Sequence, residues 1–228
     1  MISASAVITL GNTAAGFDLF LLTDPNGGET ALEIKNTDPK DGVSNFNGVI
    51  GIGANSNTRI QQGVFFGPQS QVYRHVTYED YENKADMSLS TVHALGIATN
   101  LVLEEANTEI YDFIDGLNEL DVTDDTPSGD VTTSFEYETM TELTVMDLDS
   151  IDMNGGSITL RGRAGENDMV VIRIAADAKF QGGAAVNLIN LDRRNVIWLT
   201  SDDSKFDLHQ NETAIFEGII INPTLNDK

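Results

Sequence analysis

The last third of the chain alternates apolar and polar residues through one short segment after another. Ile158 and Leu160, for example, are separated by Thr159. A period of two places successive side chains on opposite faces of a β-strand. The apolar centres of successive segments are Ile174, Val186, Trp198, Leu208 and Ile219, at steps of 12, 12, 10 and 11 residues. Such even spacing predicts many short strands laid side by side, as in a β-solenoid or a β-sandwich.

The N-terminal part of the chain carries the same strand signal. Strands are predicted at residues 14–24, 30–35, 48–54, 58–66 and 71–77, with Pro25 and Gly27 marking a turn. The apolar side chains that repeat on one face of the strands, in both parts of the chain, are the expected core. They are Phe17, Phe65, Val186, Trp198, Phe206 and Ile219.

One segment in the middle of the chain follows a helical period instead. From about Ser88 to Leu117, apolar residues recur at steps of three and four. They are Val92, Leu95, Ala98, Val102, Ala106, Ile110, Phe113 and Leu117. This pattern predicts one long amphipathic helix at residues 88–117, capped by Ser88 or Ser90 and ending near Gly116. The acids on its other face, Glu104, Glu105, Glu109, Asp112 and Asp115, are expected to be solvated.

A single helix between two groups of strands does not suit a βαβ fold, which needs alternating elements. It suits a mainly β body with one helix packed alongside. No linker or abrupt change in composition interrupts the chain. The sequence therefore predicts one domain over residues 1–228, built as a β-solenoid or, as the alternative, a β-sandwich.

The net charge of −23 limits the kinds of molecule that the protein can bind. It repels nucleic acid phosphates and anionic lipid headgroups, and it favours solubility, cations such as Ca²⁺ or a basic partner. The absence of cysteine excludes disulfides, thiolate zinc sites and cysteine nucleophiles. The sequence contains no run of 18 apolar residues, so it predicts no membrane span. Residues 1–11 lack an intact signal peptide, and the Ala4–Ala6 sequence is interpreted as the remnant of a trimmed cleavage site.

No catalytic motif is found in the sequence. His75, His93 and His209 lie far apart and without zinc-site spacing, and Gly51 and Gly53 lack the third glycine of a dinucleotide fingerprint. Two groups of acids are candidate Ca²⁺ ligands. They are Asp147, Asp149 and Asp152 in the first group, and Asp202, Asp203 and Asp207 in the second. Arg161 stands where an EF-hand needs its last carboxylate, so only a looser Ca²⁺ site stays open.

Four segments resemble those of a known family. They are Gly16–Leu22, Gly48–Asn55, Asn195–Leu199 and Glu217–Pro223, the last with Asn222 in place of an alanine. They resemble the choice-of-anchor A family of bacterial surface proteins and, more distantly, the ice-binding β-solenoid family. The resemblance implies a right-handed β-solenoid flanked by a helix. It also implies export, a structural or adhesive role at a cell surface, and no catalytic residues.

Three functions follow as hypotheses. The first is a non-enzymatic extracellular adhesive or matrix module that binds itself, surface proteins or glycans and is modulated by Ca²⁺. The second is ice binding on a flat solenoid face, although the threonines cluster only locally, at Thr132, Thr133, Thr139, Thr141 and Thr144. The third is a carbohydrate-active enzyme working through two carboxylates, of which the sequence selects no pair.

Overall fold

A computed structural model describes the protein. It covers residues 19–21, 30–34, 44–46, 49–52, 56–60, 64–66, 71–74, 80–83, 91–92, 97–201, 204–208 and 216–222. The chain divides into two compact units, one formed by residues 1–116 with 225–228 and the other by residues 117–224. The single domain expected over residues 1–228 stays a prediction.

The first unit consists of short parallel strands. They are β1 (Leu19–Leu21), β2 (Thr30–Ile34), β3 (Ser44–Phe46), β4 (Val49–Ile52), β5 (Ser56–Ile60), β6 (Val64–Phe66), β7 (Gln71–Arg74), β8 (Asp80–Asn83) and β9 (Thr91–Val92). The strands pair in three sheets, in the orders β1–β4–β7–β9, β2–β5–β8 and β3–β6. Within β4, the side chains of Ile50 and Ile52 are buried.

The long helix, α1 (Ile97–Asn118), begins later than the sequence predicts. Val92 lies in β9, where it pairs with Val72 of β7. Because it belongs to this sheet, Val92 is not part of the helix. Ser88, Ser90 and Leu95 lie outside the described residues. The helix also continues through Gly116 to Asn118.

The apolar stripe of α1 is confirmed over most of its length. The buried side chains are Leu103, Ala106, Ile110, Phe113, Ile114 and Leu117. Val102 is half-buried, whereas Ala98 is exposed, which contradicts its place in the predicted stripe. Among the acids of the other face, Glu109 is half-buried and the remaining four are exposed, as expected of a solvated face.

The described residues of the second unit contain ten further strands. They are β10 (Gly129–Val131), β11 (Phe135–Glu138), β12 (Leu143–Asn154), β13 (Ser157–Arg161), β14 (Met169–Ile174), β15 (Ala178–Gln181), β16 (Ala185–Ile189), β17 (Val196–Thr200), β18 (Phe206–Leu208) and β19 (Ile219–Ile221). Every strand pair in the described residues is parallel. Parallel pairing contradicts the β-sandwich alternative, whose sheets are antiparallel.

The strands of the second unit form three faces. Face A contains the first half of β12 with β14, β17 and β19, and face B contains β10, the second half of β12, β15 and β18. Face C contains β11, β13 and β16. The long strand β12 passes from face A to face B at Asp149, because Gly129 pairs with Leu148 and Asp130 with Ser150. Asp149 is thus the extra residue of a bulge, which bends the strand.

Each face receives one strand from each circuit of the chain. Leu143 pairs with Met169, and Val170 pairs with Val196, so β12, β14 and β17 of face A recur after 26 residues, whereas β19 follows β17 after 22. Recurring parallel strands stack the same side chain position from one circuit to the next. The second unit is therefore a curled parallel sheet of a kind that fits a solenoid-like fold.

The interior of the second unit is filled by side chains in register. Met146, Ile172 and Trp198 form one such row, and none of the three is exposed. Phe180 contacts the rings of Trp198, Phe206 and Phe216 at centroid distances of 6.1, 5.9 and 5.4 Å. Close aromatic pairs of this kind stabilise the core beyond their buried area.

The expected core is confirmed in part. Val186 and Trp198 are fully buried, and Phe206 is partly buried against the core. The prediction is wrong for Ile219, which is 41% exposed. It lies in β19, the last of the described strands in the order of its sheet. Phe17 lies outside the described residues, as does the side chain of Phe65.

Trp198→Ala is expected to lower the free energy of unfolding by about 3–5 kcal/mol, because it leaves a large cavity in a core that contains three other aromatic rings. Urea unfolding followed by circular dichroism measures the change. Leu101→Ala is the control, since Leu101 is 59% exposed. Equal stability of the two variants would contradict the buried position of Trp198.

Candidate functional site

Face C presents an ordered array of side chains to solvent. Its inward positions, such as Ile158, Leu160 and Val186, are buried, so the alternate positions face outward. The outward residues form three rows across the strands, here called the grid. The rows are Ser157–Ala185, Glu136–Thr159–Asn187 and Glu138–Arg161–Ile189. The register is unbroken over all three strands, so residues within a row repeat at about 4.7–4.9 Å.

Several hydrogen bonds hold the grid in place. Arg161 donates to Glu136 Oε1 through Nη2 at 2.6 Å and through Nε at 3.2 Å, which joins β13 to β11. The Ser157 amide donates to Ser134 Oγ at 2.9 Å. Thr159 lies in the middle row of the central strand and is half-buried. The grid is a small, regular and polar surface with restrained side chains.

Face B is also polar, but it is less regular and more highly charged. Asp152, Lys179 and Asp207 form one row across it, and Asn154 pairs with Gln181 in another. Ser150 Oγ donates to Asp130 Oδ1 at 2.6 Å beside the bulge at Asp149. The bulge interrupts the regular repeat on this face.

The outer side of face A is covered. Val145, Val171 and Ile197 alternate with the interior row, yet each is buried. A parallel sheet with both sides buried shows long apolar runs of this kind. Faces B and C are therefore the exposed faces of the described second unit.

The first group of candidate Ca²⁺ ligands does not converge. Asp147 lies on face A, Asp149 at the bulge and Asp152 on face B. Arg173 also binds both oxygens of Asp147, through Nε to Oδ1 at 2.6 Å and through Nη2 to Oδ2 at 3.0 Å. The described residues contain no group of three or more potential metal ligands.

The second group of candidate Ca²⁺ ligands is described only at Asp207, on face B. Asp202 and Asp203 lie outside the described residues, as do His75, His93 and His209. Ca²⁺ binding by the second group stays a prediction.

Arg173 has a structural role that sequence patterns did not indicate. Its Nη1 donates to the carbonyl oxygens of Leu117, Asn118 and Leu120 at 3.2, 2.9 and 3.0 Å. These carbonyls lie at and just after the C-terminal end of α1, where a cation is electrostatically favourable. With Asp147 on its other side, Arg173 joins the end of the helix to face A.

Asp168 is the one carboxylate with a fully buried side chain among the described ion pairs. Its Oδ2 accepts from Thr139 Oγ1 at 2.6 Å and from the Arg163 amide at 2.8 Å, and the Arg163 guanidinium binds both oxygens. The Arg163 hydrogen bond holds the pKa of Asp168 well below its usual range, with burial opposing it and Thr139 adding to it. A carboxylate with all these bonds fastens the loop before β14 and is a poor proton donor or acceptor.

Asp168→Asn is expected to lower the free energy of unfolding at pH 7 by about 1–3 kcal/mol, because it removes a charge-assisted network from a buried position. The folded pKa is depressed, so this contribution is present above the unfolded pKa of about 3.9 and is lost as the pH falls below it. Chemical unfolding at several pH values should show the gap between wild type and variant closing in acid. Asp152→Asn, at an exposed position, is the control, and an equal pH profile for both variants would contradict this role.

The acidic coat is expected to make stability depend on salt. Added NaCl should raise the melting temperature, because screening weakens the repulsion among the carboxylates. If the second group of acids binds Ca²⁺ specifically, Ca²⁺ should raise it further than NaCl at matched ionic strength. Asp202→Asn with Asp203→Asn tests this point, and equal shifts from both salts would exclude the specific site.

Comparison with solved structures finds similar proteins in cold environments. An ice-binding protein from an Antarctic biological consortium is 15% identical, with a TM-score of 0.51, covering 94% of this chain and 90% of the other. The ice-binding protein of the Antarctic ascomycete Antarctomyces psychrotrophicus is 14% identical, with a TM-score of 0.47, and covers 97% and 99% of the two chains. That of an Antarctic Flavobacteriaceae bacterium is 14% identical, with a TM-score of 0.38, and covers 100% and 52%.

Comparison by sequence finds no matching family model and no matching curated protein. Crossing a membrane would require a longer apolar run than any helix in the described part of the chain provides. The resemblance to the choice-of-anchor A family has no support in these comparisons. The more distant resemblance to ice-binding proteins is supported at the level of the fold: the chain is similar in fold to the Antarctic consortium protein.

Proposed function

We propose that this chain is an exported, non-enzymatic protein that binds ice through the grid on face C, on a right-handed β-solenoid scaffold. The observation that carries the proposal is the unbroken register of β11, β13 and β16. It repeats outward side chains at a constant spacing, and the short ones among them, Ser157, Thr159, Ala185 and Asn187, lie on β13 and β16. Ice is an ordered array of water molecules, so a repeating surface complements it better than an irregular one.

The chemistry of the grid suits contact with ordered water. Ser157, Thr159 and Asn187 supply hydroxyl and amide groups, and Ala185 leaves the backbone accessible to close approach. Ordered water that bridges polar groups is nearly as favourable as a direct hydrogen bond. The Arg161 charge is compensated by Glu136, so the central strand carries no isolated charge.

Two other surfaces are less suitable. The local threonine cluster does not form a face, because Thr139 and Thr144 are buried. Face B combines a bulge with the charged row of Asp152, Lys179 and Asp207. The grid, by contrast, has an unbroken register, and its strand β16 carries no charged residue.

The fold likeness adds support of a general kind. The ice-binding protein from the Antarctic consortium shares the fold over most of both chains. The adhesive or matrix-forming role, with its partners on a cell surface, stays a prediction. The carbohydrate-active enzyme also stays a prediction.

The experiment compares ice binding by the wild type and two tyrosine variants. Thr159→Tyr places a bulky ring at the centre of the grid and should abolish most thermal hysteresis and inhibition of ice recrystallisation. Gln181→Tyr is the matched control, since Gln181 lies on β15 in face B and is also half-buried. Circular dichroism and melting curves should show that both variants fold.

The outcomes separate the hypotheses. Loss of ice binding in Thr159→Tyr alone supports the grid. Loss in Gln181→Tyr alone moves the site to face B and contradicts the grid. A folded wild type that neither shapes ice crystals nor inhibits their recrystallisation would rule out ice binding.

A further inference from the structure

The strand β16 is one of the three strands of the grid, and its contacts decide where its outward residues lie. Asn187 is exposed and ends the middle row. On the side of β13, the Ala185 amide donates to Gly156 O at 3.0 Å, and the Gly162 amide donates to Ile189 O at 2.8 Å. These bonds fix β16 against β13 near both of its ends.

Glu217, which lies outside face C, contacts the same strand. Its Oε2 accepts a hydrogen bond from the Leu188 amide at 3.2 Å. Leu188 stands between Asn187 and Ile189, and its side chain is partly buried against the core. A hydrogen bond to an ionised acceptor is about twice as strong as one between neutral groups. The bond therefore restrains the part of β16 that carries two grid residues.

The residues on either side of Glu217 fix its position. Trp198 Nε1 donates to the Glu217 carbonyl oxygen at 3.1 Å. The Phe216 ring packs 5.3 Å from the Trp198 ring and 5.4 Å from that of Phe180. Gly218 has a φ of +128°, and a Cβ there would lie 2.5 Å from Trp198 Nε1, so a larger residue would displace the segment. The interior of the second unit thus determines where the carboxylate lies.

From this geometry we infer that Glu217 is a positioning residue for the grid: it holds β16 so that Asn187 and Ile189 stay in line with their neighbours on β13. The groups of a binding surface must be held to within about 0.5 Å by the contacts behind them. The effect on ice binding rests on the proposed function of the grid. The restraint of β16 itself can be measured without ice.

The test compares Glu217→Ala with Glu217→Gln, which keeps an oxygen acceptor near the Leu188 amide. Exchange of this amide should accelerate about tenfold or more in Glu217→Ala, because a hydrogen bond to a charged acceptor is lost. Exchange of the Asn187 amide should accelerate as well, whereas that of Ile172, in β14 on face A, should not change. Thermal hysteresis and inhibition of ice recrystallisation should fall in Glu217→Ala and be largely kept in Glu217→Gln.

The control is Arg173→Ala, which separates positioning from a general loss of stability. It removes the contacts of Arg173 with Asp147 and with the carbonyls at the end of α1, none of which lies on face C. Its ice activity should persist even if its melting temperature falls as far as that of Glu217→Ala. Circular dichroism at the temperature of the ice assay should show that the variants are folded. If Glu217→Ala does not fold, Glu217→Asp, which withdraws the carboxylate from Leu188, is judged by the same measurements.

The outcomes are distinct. Faster exchange at Leu188 with reduced ice activity in Glu217→Ala, and neither change in Glu217→Gln or Arg173→Ala, supports the inference. Unchanged exchange at Leu188, or full ice activity despite faster exchange, would overturn it, as would an equal loss of activity in Arg173→Ala. A wild type without ice activity would rule out the proposed function and with it the role in ice binding, and the exchange rates would then decide separately whether Glu217 restrains β16.

Discussion

The structure of the second unit depends on parallel strand pairing in strict register. Parallel strands need a connection of a dozen or more residues between them, and here each strand pairs with one that lies a full circuit of the chain away. Leu143, for example, pairs with Met169. Once this register is set, equivalent side chains stack in rows, both inside and outside. The apolar interior and the polar grid are two sides of the same ladder.

The corners of the circuit are fixed by charged groups with definite partners. Asp168 accepts from Thr139 and Arg163 before β14, and Arg173 binds Asp147 and the carbonyls at the end of α1. Arg163 and Arg173 are among only 13 basic residues in the chain. Two of these scarce cations thus hold a loop and the end of the helix, while most of the described acids are exposed.

The segment before β19 is held in place beside face C. Phe216 packs its ring against Trp198, Glu217 accepts a hydrogen bond from the Leu188 amide of β16, and Gly218 lies against the Trp198 side chain. At face A, β19 ends with Ile219 and Ile220 partly exposed. Residues that are close together in sequence are therefore hydrogen-bonded beside face C and partly exposed on face A.

The sequence alone located several of the strands and most of the helix. Alternation located β13, β14, β16 and β17, and the three- and four-residue steps located most of α1. These patterns are local, since each depends only on which side chains within one segment face the interior. The sequence did not determine the start of α1, because the pairing of β9 with β7 competes there with the helical period. The prediction that Ile219 is buried was also wrong. Its apolar neighbours gave no sign that β19 is the last of the described strands in its sheet.

The grid was decided only by the tertiary structure. Thr159, Asn187 and Glu136 are separated by more than 20 residues along the chain, and only the register of three strands brings them into one row. Asp147, Asp149 and Asp152 show the opposite effect, since a bend in β12 directs neighbouring acids to different faces. Sequence patterns report which side of its own strand a residue occupies. They do not report which distant strand lies beside it, because that depends on backbone hydrogen bonds common to every residue.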